Sequence, residues 1–277
     1  MTMKFDAIII GGGNAGFGAS SILAAAGQKL AFIEQAEFGG TCPNRGCTPK
    51  KVLVAAAKSL DEINKASGHG ISVSAPTIDW TQLIGRKDQM IDFIPGAMLG
   101  MAEKRGTVFT GSAKFVGPNE VEVNGQVLQA RNIIIATGSK TRPLPISGAE
   151  LMMTSDDVLA NTELPKEVIF VGGGVIALEF SHVYARAGVK VTILEAMPQL
   201  LPRHDTDAVA ALQKATEALG VSIMTDVKVM KITRDGELLS VHIEHQGKSL
   251  ILTADAVVNG AGRVANIDDL DLNAGNV

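Results

Sequence analysis

The chain has 277 residues, 46% hydrophobic and 4% aromatic, with 30 glycines, two cysteines and a formal net charge of −4. That length accommodates two domains of roughly 100–200 residues each. The acidic balance argues against a nucleic-acid partner and does not suggest a membrane surface, and two cysteines are too few for a secreted disulfide scaffold.

Met1-Thr-Met-Lys-Phe-Asp6 leads into Ala7-Ile-Ile-Ile10. Asp6 and the Gly11-Gly12-Gly13 turn interrupt this run, which disfavours a signal peptide. No apolar stretch is long enough to span a bilayer, and the cytoplasm is the expected location. Ile8–Ile10 reads as a buried strand opening Gly11-x-Gly13-x-x-Gly16. In such a fingerprint the first Gly permits the tight turn, the second admits a pyrophosphate, and the third allows close helix–strand packing. The following helix then offers free N–H groups to the phosphates. Glu34 lies 18 residues after Gly16, where a carboxylate can accept from a ribose 2′-OH.

Both cysteines follow in Gly39-Gly-Thr-Cys42-Pro-Asn-Arg-Gly-Cys47-Thr-Pro-Lys50-Lys51. Two close thiols suit disulfide exchange, in which a thiolate is the nucleophile. No second Cys or Cys/His pair completes a zinc site, and buried structural thiols remain the plain alternative. Residues 51–60 read as a helix, as do 80–104, with interruption expected at Gly85, Pro95 and Gly96. Residues 106–130 alternate with turn signals and read as a small antiparallel meander, and Ile133-Ile-Ile-Ala136-Thr137-Gly138 as a buried strand. Arg142–Pro145 reads as a linker.

A shift of 161 residues superimposes the chain on itself: Ile8–Gly13 on Ile169–Gly174, Ala26-Gly27 on Ala187-Gly188, Glu34 on Glu195. The second fingerprint is Gly172-x-Gly174-x-x-Ala177. Each copy is a βαβ unit with parallel strands. A second meander (230–252) and a buried strand (256–260) follow. His69, His182 and His204 lack motif context and read as surface or packing residues.

With these motifs the sequence resembles the flavin-dependent pyridine nucleotide–disulfide oxidoreductases, the family of lipoamide dehydrogenase, glutathione reductase and mercuric reductase. The likeness rests on both fingerprints, the Gly-Gly-Thr-Cys42-x4-Cys47-x-Pro-Lys50 segment, Ala136-Thr-Gly138 and Gly260-Ala-Gly262-Arg263. It implies an α/β fold of two Rossmann-like, three-layer ββα-type nucleotide-binding domains, each with a small antiparallel β-meander. Residues 1–147 would be the FAD-binding domain, 148–265 the NAD(P)-binding domain, and 266–277 the start of the return to the FAD domain. Gly11, Gly13, Gly16 and Glu34 would hold the adenosine diphosphate half of FAD. Cys47 would lie closest to the isoalloxazine as a charge-transfer thiolate, Cys42 would attack the substrate disulfide, and Lys50 would pair with Glu179 near flavin N5. Gly172, Gly174, Ala177 and Glu195 would bind the second dinucleotide. The resemblance assigns further cofactor contacts to Asn14, Ala15, Gly40, Thr41, Lys51, Ala113, Ala136, Thr137, Gly138, Val175, Ile176, Gly262 and Arg263. No metal is implied.

The implied activity is hydride transfer from NAD(P)H through FAD to a Cys42–Cys47 disulfide, and on to a small-molecule or protein-bound disulfide. The alternatives are a nucleotide-binding module without turnover and an NADH diaphorase that does not need the dithiol. Glu195 favours NAD, while Ala177 in place of a third Gly occurs often in NADP-using relatives and Arg203 lies within reach of a flexible loop; NAD is the expected nicotinamide. Pro43 and Arg45 replace apolar residues common between the thiols, and Val175 stands where some relatives place a Tyr over the flavin. Family members continue past the position of Val277 with a Gly-Asp flavin segment and an interface domain that forms a homodimer. The expectation is therefore a C-terminally shortened member.

Overall fold

Alternating burial along the first strand sets the layers. A computed structural model describes residues 2–277 and places Met3–Ile10 in a strand whose last four residues are all buried. Ile8 and Ile10 pack with Phe115, Val121 and Val123 of the antiparallel strands. Ala7 and Ile9 pack with Phe17, Phe32, Phe38 and the helical Ala102. Period-two alternation thus sorts one strand's side chains between a meander layer and a helix layer. The second unit repeats this. Ile169 and Val171 pack with Val227, Ile232, Leu239 and Val241 of its meander, whereas Val168 and Phe170 pack with Leu178, Phe180 and Tyr184 of a helix. Two three-layer ββα domains result, as the resemblance implies.

Residue contacts group 1–49, 88–140 and 264–277 into one unit and 50–87 and 141–263 into the other. In the first unit, strands Thr107–Thr110, Leu30–Glu34, Met3–Ile10 and Gln126–Ile135 run parallel, and Glu120–Val123 and Ala113–Gly117 continue antiparallel. In the second, four parallel strands (Ser222–Met224, Lys190–Leu194, Glu167–Val171, Ala256–Asn259) accompany the meander Val227–Asp235, Leu238–His245, Lys248–Ala254. The fingerprint helices Asn14–Ala25 and Val175–Arg186 keep the 161-residue offset to the residue.

Three details differ from the sequence reading. The first meander and the strand at 133 are not separate elements. Gln126–Ile135 is one strand, pairing antiparallel through Gln126–Gln129 and parallel through Leu128–Ile135. Residues 107–110 are a parallel edge strand rather than part of the meander. Gly85 does not interrupt its helix, which runs Trp80–Ile91. The break falls before Pro95, which occupies the first turn of Ile94–Arg105, where its missing N–H has no partner to lose.

The grouping also takes residues 50–87 out of the 1–147 segment assigned to the first domain. The cause is side-chain packing. Leu53, Ala57, Trp80, Leu83 and Ile84 are buried in the same cluster as Val158, Tyr184 and Val209. Trp80 stacks on Tyr184 at 5.5 Å between centroids and donates Nε1–H to the Asn161 carbonyl at 2.9 Å. Trp80→Phe keeps most of the apolar contact and leaves that carbonyl without its donor. It is expected to lower stability by about 1–2 kcal/mol, read as a shift in the midpoint of urea unfolding followed by far-UV circular dichroism.

Candidate functional site

In the first unit, a cavity of about 340 Å³ opens where the fingerprint turn meets the cysteine segment. Gly11, Gly13, Asn14 and Ala15 line it from the turn and the helix start, with Glu34 at the end of the second strand. Gly40, Thr41 and Cys42 enter from the cysteine segment, and Ala113, Ala136, Thr137 and Gly138 from the sheet. Twelve residues expected at the cofactor or redox site therefore meet in one place. Gly16 supports it from behind: a Cβ there would lie 2.1 Å from the Gly11 carbonyl oxygen. Lys51 is exposed and, like Cys47, lies outside this lining.

Glu34 is held in place before any ligand arrives. Its carboxylate accepts from the Gly12 N–H at 2.7 Å and from the Ala36 N–H at 2.8 Å. The second fingerprint repeats the clamp. Glu195 accepts from the Gly173 N–H at 2.6 Å and the Met197 N–H at 2.8 Å, and is buried. Each carboxylate oxygen keeps further lone pairs for a hydroxyl. Helices Ser155–Ala160 and Thr206–Glu217 are capped by the Thr154 and Asp205 side chains. The two fingerprint helices instead begin at Gly13 and Gly174 with no side-chain cap, leaving first-turn N–H groups for an anion. The backbone approach at Gly13 and Gly40 is equally close: a Cβ on Gly40, at φ +69°, would lie 2.7 Å from the Gly13 Cα. These features fit a dinucleotide: room for its pyrophosphate, donors for its charge and an acceptor for its ribose.

The cysteines lie on two consecutive helices. Cys42 is the second residue of Thr41–Arg45, and Cys47 opens Cys47–Lys65 and is exposed. Asn44, which motif reasoning passed over, fixes the segment between them. It is buried, and its Nδ2 donates to the Phe38 carbonyl at 2.9 Å, while its Oδ1 is buried with no hydrogen-bond partner among the described residues. Arg45 lines the cavity, placing a cation beside the thiol segment. Among the described residues, no group of three or more His, Cys, Asp or Glu could hold a metal ion.

In the second unit, Lys50 Nζ donates to Glu179 Oε1 at 2.5 Å, bringing together the two residues expected to pair. Glu179 lies on the first turns of Val175–Arg186. Val175 is 55% exposed at the start of that helix, and Ile176 packs against the core. Gly262 accepts from the Arg142 N–H, and Arg263 opens the short strand Arg263–Ala265. Sequence reasoning also missed Gln35, Ala36, Asn266, Asp269 and Leu270, which line the first cavity. The last three come from the return segment, whose polar composition carries no motif.

Comparison with known proteins fits this geometry. The family described as pyridine nucleotide-disulphide oxidoreductase matches residues 5–277. The chain is 33% identical to a dihydrolipoyl dehydrogenase of Acholeplasma laidlawii, over 98% of this chain and 82% of that protein. It is 36% identical to a glutathione reductase of Burkholderia cepacia, over 97% and 59%. The Cu(II) complex of the HOCl-induced flavoprotein disulfide reductase RclA from Escherichia coli superimposes with a TM-score of 0.86 at 30% identity, over 99% and 60%. Against the last two, the chain spans about three fifths of the relative's length. The chain belongs to the pyridine nucleotide–disulphide oxidoreductases, a family that uses FAD with NAD(P)H. No helix among the described residues is long and apolar enough to cross a membrane.

Proposed function

We propose that the chain carries the FAD- and NAD-binding halves of a flavin disulfide oxidoreductase. On this reading a hydride from NADH ends as two electrons and a proton on a Cys42–Cys47 disulfide, which takes up a second proton to give two thiols. The dithiol then reduces a small-molecule or protein-bound disulfide. The observation that carries this reading is the first-unit cavity, in which the fingerprint turn, Glu34 and Thr41-Cys42 share one lining. Bound FAD supplies the two-electron relay between nicotinamide and disulfide. The chain's residues do the rest. First-turn N–H groups take the pyrophosphate, and Glu34 accepts from the ribose. Cys42 exchanges with substrate, and Lys50, held by Glu179, supplies a fixed cation.

NAD is favoured over NADP because the Glu195 carboxylate is buried and held by hydrogen bonds from two backbone N–H groups. A 2′-OH can donate to it, whereas a 2′-phosphate would meet a charge of its own sign. A cytoplasmic homodimer is the assembly we expect of the whole protein.

The test is an anaerobic visible spectrum of the chain after incubation with FAD, titrated with NADH. Flavin absorbance that gives way to a long-wavelength band on reduction supports the disulfide oxidoreductase. Bleaching without that band favours a diaphorase. A chain that retains no flavin is a nucleotide-binding module without turnover. NADPH is expected to need a concentration about tenfold higher or more for the same reduction.

A further inference from the structure

Helices Cys47–Lys65 and Val175–Arg186 contribute to an apolar groove of about 460 Å³ in the second unit, lined among others by Val54, Ala57, Leu178, Leu201 and Leu212. Among the described residues, two ionic contacts join these helices. One is Lys50–Glu179; the other is Arg186 Nε to Asp61 Oδ1, 3.6 Å apart. The second is longer than a hydrogen bond: Arg186 Nε is buried with no acceptor within hydrogen-bond distance among the described residues. Instead, Arg186 Nη1 lies 3.2 Å from His182 Nδ1 and 3.3 Å from the His182 carbonyl oxygen.

A guanidinium only donates, so His182 Nδ1 is an acceptor and the imidazole is neutral, with its proton on Nε2. That Nε2–H donates to Thr216 Oγ1 at 2.9 Å, and Thr216 donates onward to the Leu212 carbonyl at 2.8 Å. One proton polarity therefore runs through the chain of bonds from Arg186 to Leu212. A second proton on the ring would replace the Nδ1 lone pair with an N–H aimed at a cation.

We propose that His182 is a pH-dependent positioning residue for the Lys50–Glu179 pair: neutral, it draws the Arg186 guanidinium to its own Nδ1 and leaves the ion pair with Asp61 without a hydrogen bond; protonated, it releases Arg186 to close on Asp61 and shifts the helix carrying Glu179 against the helix carrying Lys50. The inference rests on the reading of that pair as part of the redox site. The charged groups around the ring are few. Its own helix supplies Glu179 and Arg186; helix Cys47–Lys65 supplies Lys50, Lys58 and Asp61 to the same groove; helix Thr206–Glu217 supplies Thr216 and Leu212, neither charged.

The titration supports the geometry. Burial pushes the His182 imidazole below its ordinary value, and the Arg186 charge adds to this. The Lys65 ammonium bonded to Asp61 holds that carboxyl below the usual range, so it remains an anion while His182 titrates. A His depressed in the folded state binds fewer protons there than in the unfolded chain. Its contribution to stability is complete above about pH 6.5 and is lost as pH falls from there through the lower value that the ring has in the folded chain.

Two measurements test the inference. The first is NMR of the wild-type chain from about pH 7.5 to 5. The Arg186 Nε–H signal and the Lys50 and Glu179 amides are expected to shift with the His182 midpoint. If they stay still while His182 titrates, the inference fails. The second is the rate of NADH-driven flavin reduction across the same range. It should fall about threefold or more on the acid side in wild type and stay level in His182→Gln, which keeps an acceptor and a donor without titrating. An acid-side fall that persists unchanged in His182→Gln overturns the inference. No flavin reduction at any pH would instead remove the redox reading of the site, leaving the NMR result to decide the positioning role.

Discussion

A single methyl group at Gly11 is expected to abolish FAD retention, and one at Gly172 to abolish NADH binding while the flavin stays in place. Both glycines sit at positive φ, +113° and +102°, which side-chain-bearing residues rarely adopt. Both also face neighbouring backbone rather than open space. A Cβ on Gly11 would lie 2.3 Å from the Ala136 carbonyl oxygen; on Gly172 it would lie 2.6 Å from the Ala261 nitrogen. Backbone cannot swing aside as a side-chain end can, so the turn itself must move. Conformational strain and overpacking together cost about 3 kcal/mol or more at each site, which corresponds to a loss of about 100-fold or more in affinity. Gly18 is the internal control: it lies in helix Asn14–Ala25, where an added Cβ would have none of the described residues beyond its own helix within 4 Å. Gly18→Ala should bind FAD as wild type does and melt at the same or a slightly higher temperature. Flavin content after gel filtration and NADH quenching of flavin fluorescence measure the two sites separately. FAD retained at wild-type level by Gly11→Ala would mean that the cavity at the first fingerprint is not the flavin site.

These glycines also mark how far the sequence could be read. The fingerprints, their acids and the 161-residue offset are local patterns, each confined to one βαβ unit. The structure reproduces them down to the same two N–H donors on Glu34 and Glu195. Features that depend on distant packing were not legible. Residues 50–87 follow the first fingerprint in sequence but bury Leu53, Trp80 and Ile84 in the core of the second unit, and no periodicity says which core an amphipathic helix will join. Asn266, Asp269 and Leu270 line the first cavity from more than 120 residues beyond its other walls, on a segment without a motif. His182 read as packing because its neighbours Arg186, Thr216 and Asp61 are assembled only by three helices meeting.

The sharper trial of the chemistry is Cys47→Ser. After anaerobic treatment of the FAD-loaded, oxidised chain with NADH, thiol titration should find about two new thiols in wild type and none in the variant, and turnover with a disulfide substrate should fall by about 10³-fold or more. The reason is stoichiometric as well as geometric. One hydride reduces one disulfide, and a serine cannot take part in that bond. Cys47 opens a 19-residue helix, whose N-terminus favours an anion, while Cys42 stands one short helix earlier in the cavity lining. The single atom exchanged leaves the fingerprint turns, Glu34 and the Asn44 bond to Phe38 untouched, so flavin content and melting temperature should not change. Reduction of the flavin by NADH should also persist, because that step does not use the thiols. The variant therefore separates the two enzymatic readings. If NADH oxidation with a quinone survives and disulfide turnover disappears, electrons reach substrate through the dithiol. If disulfide turnover survives as well, Cys42 and Cys47 are structural thiols, and the chain passes electrons from flavin directly to its acceptor.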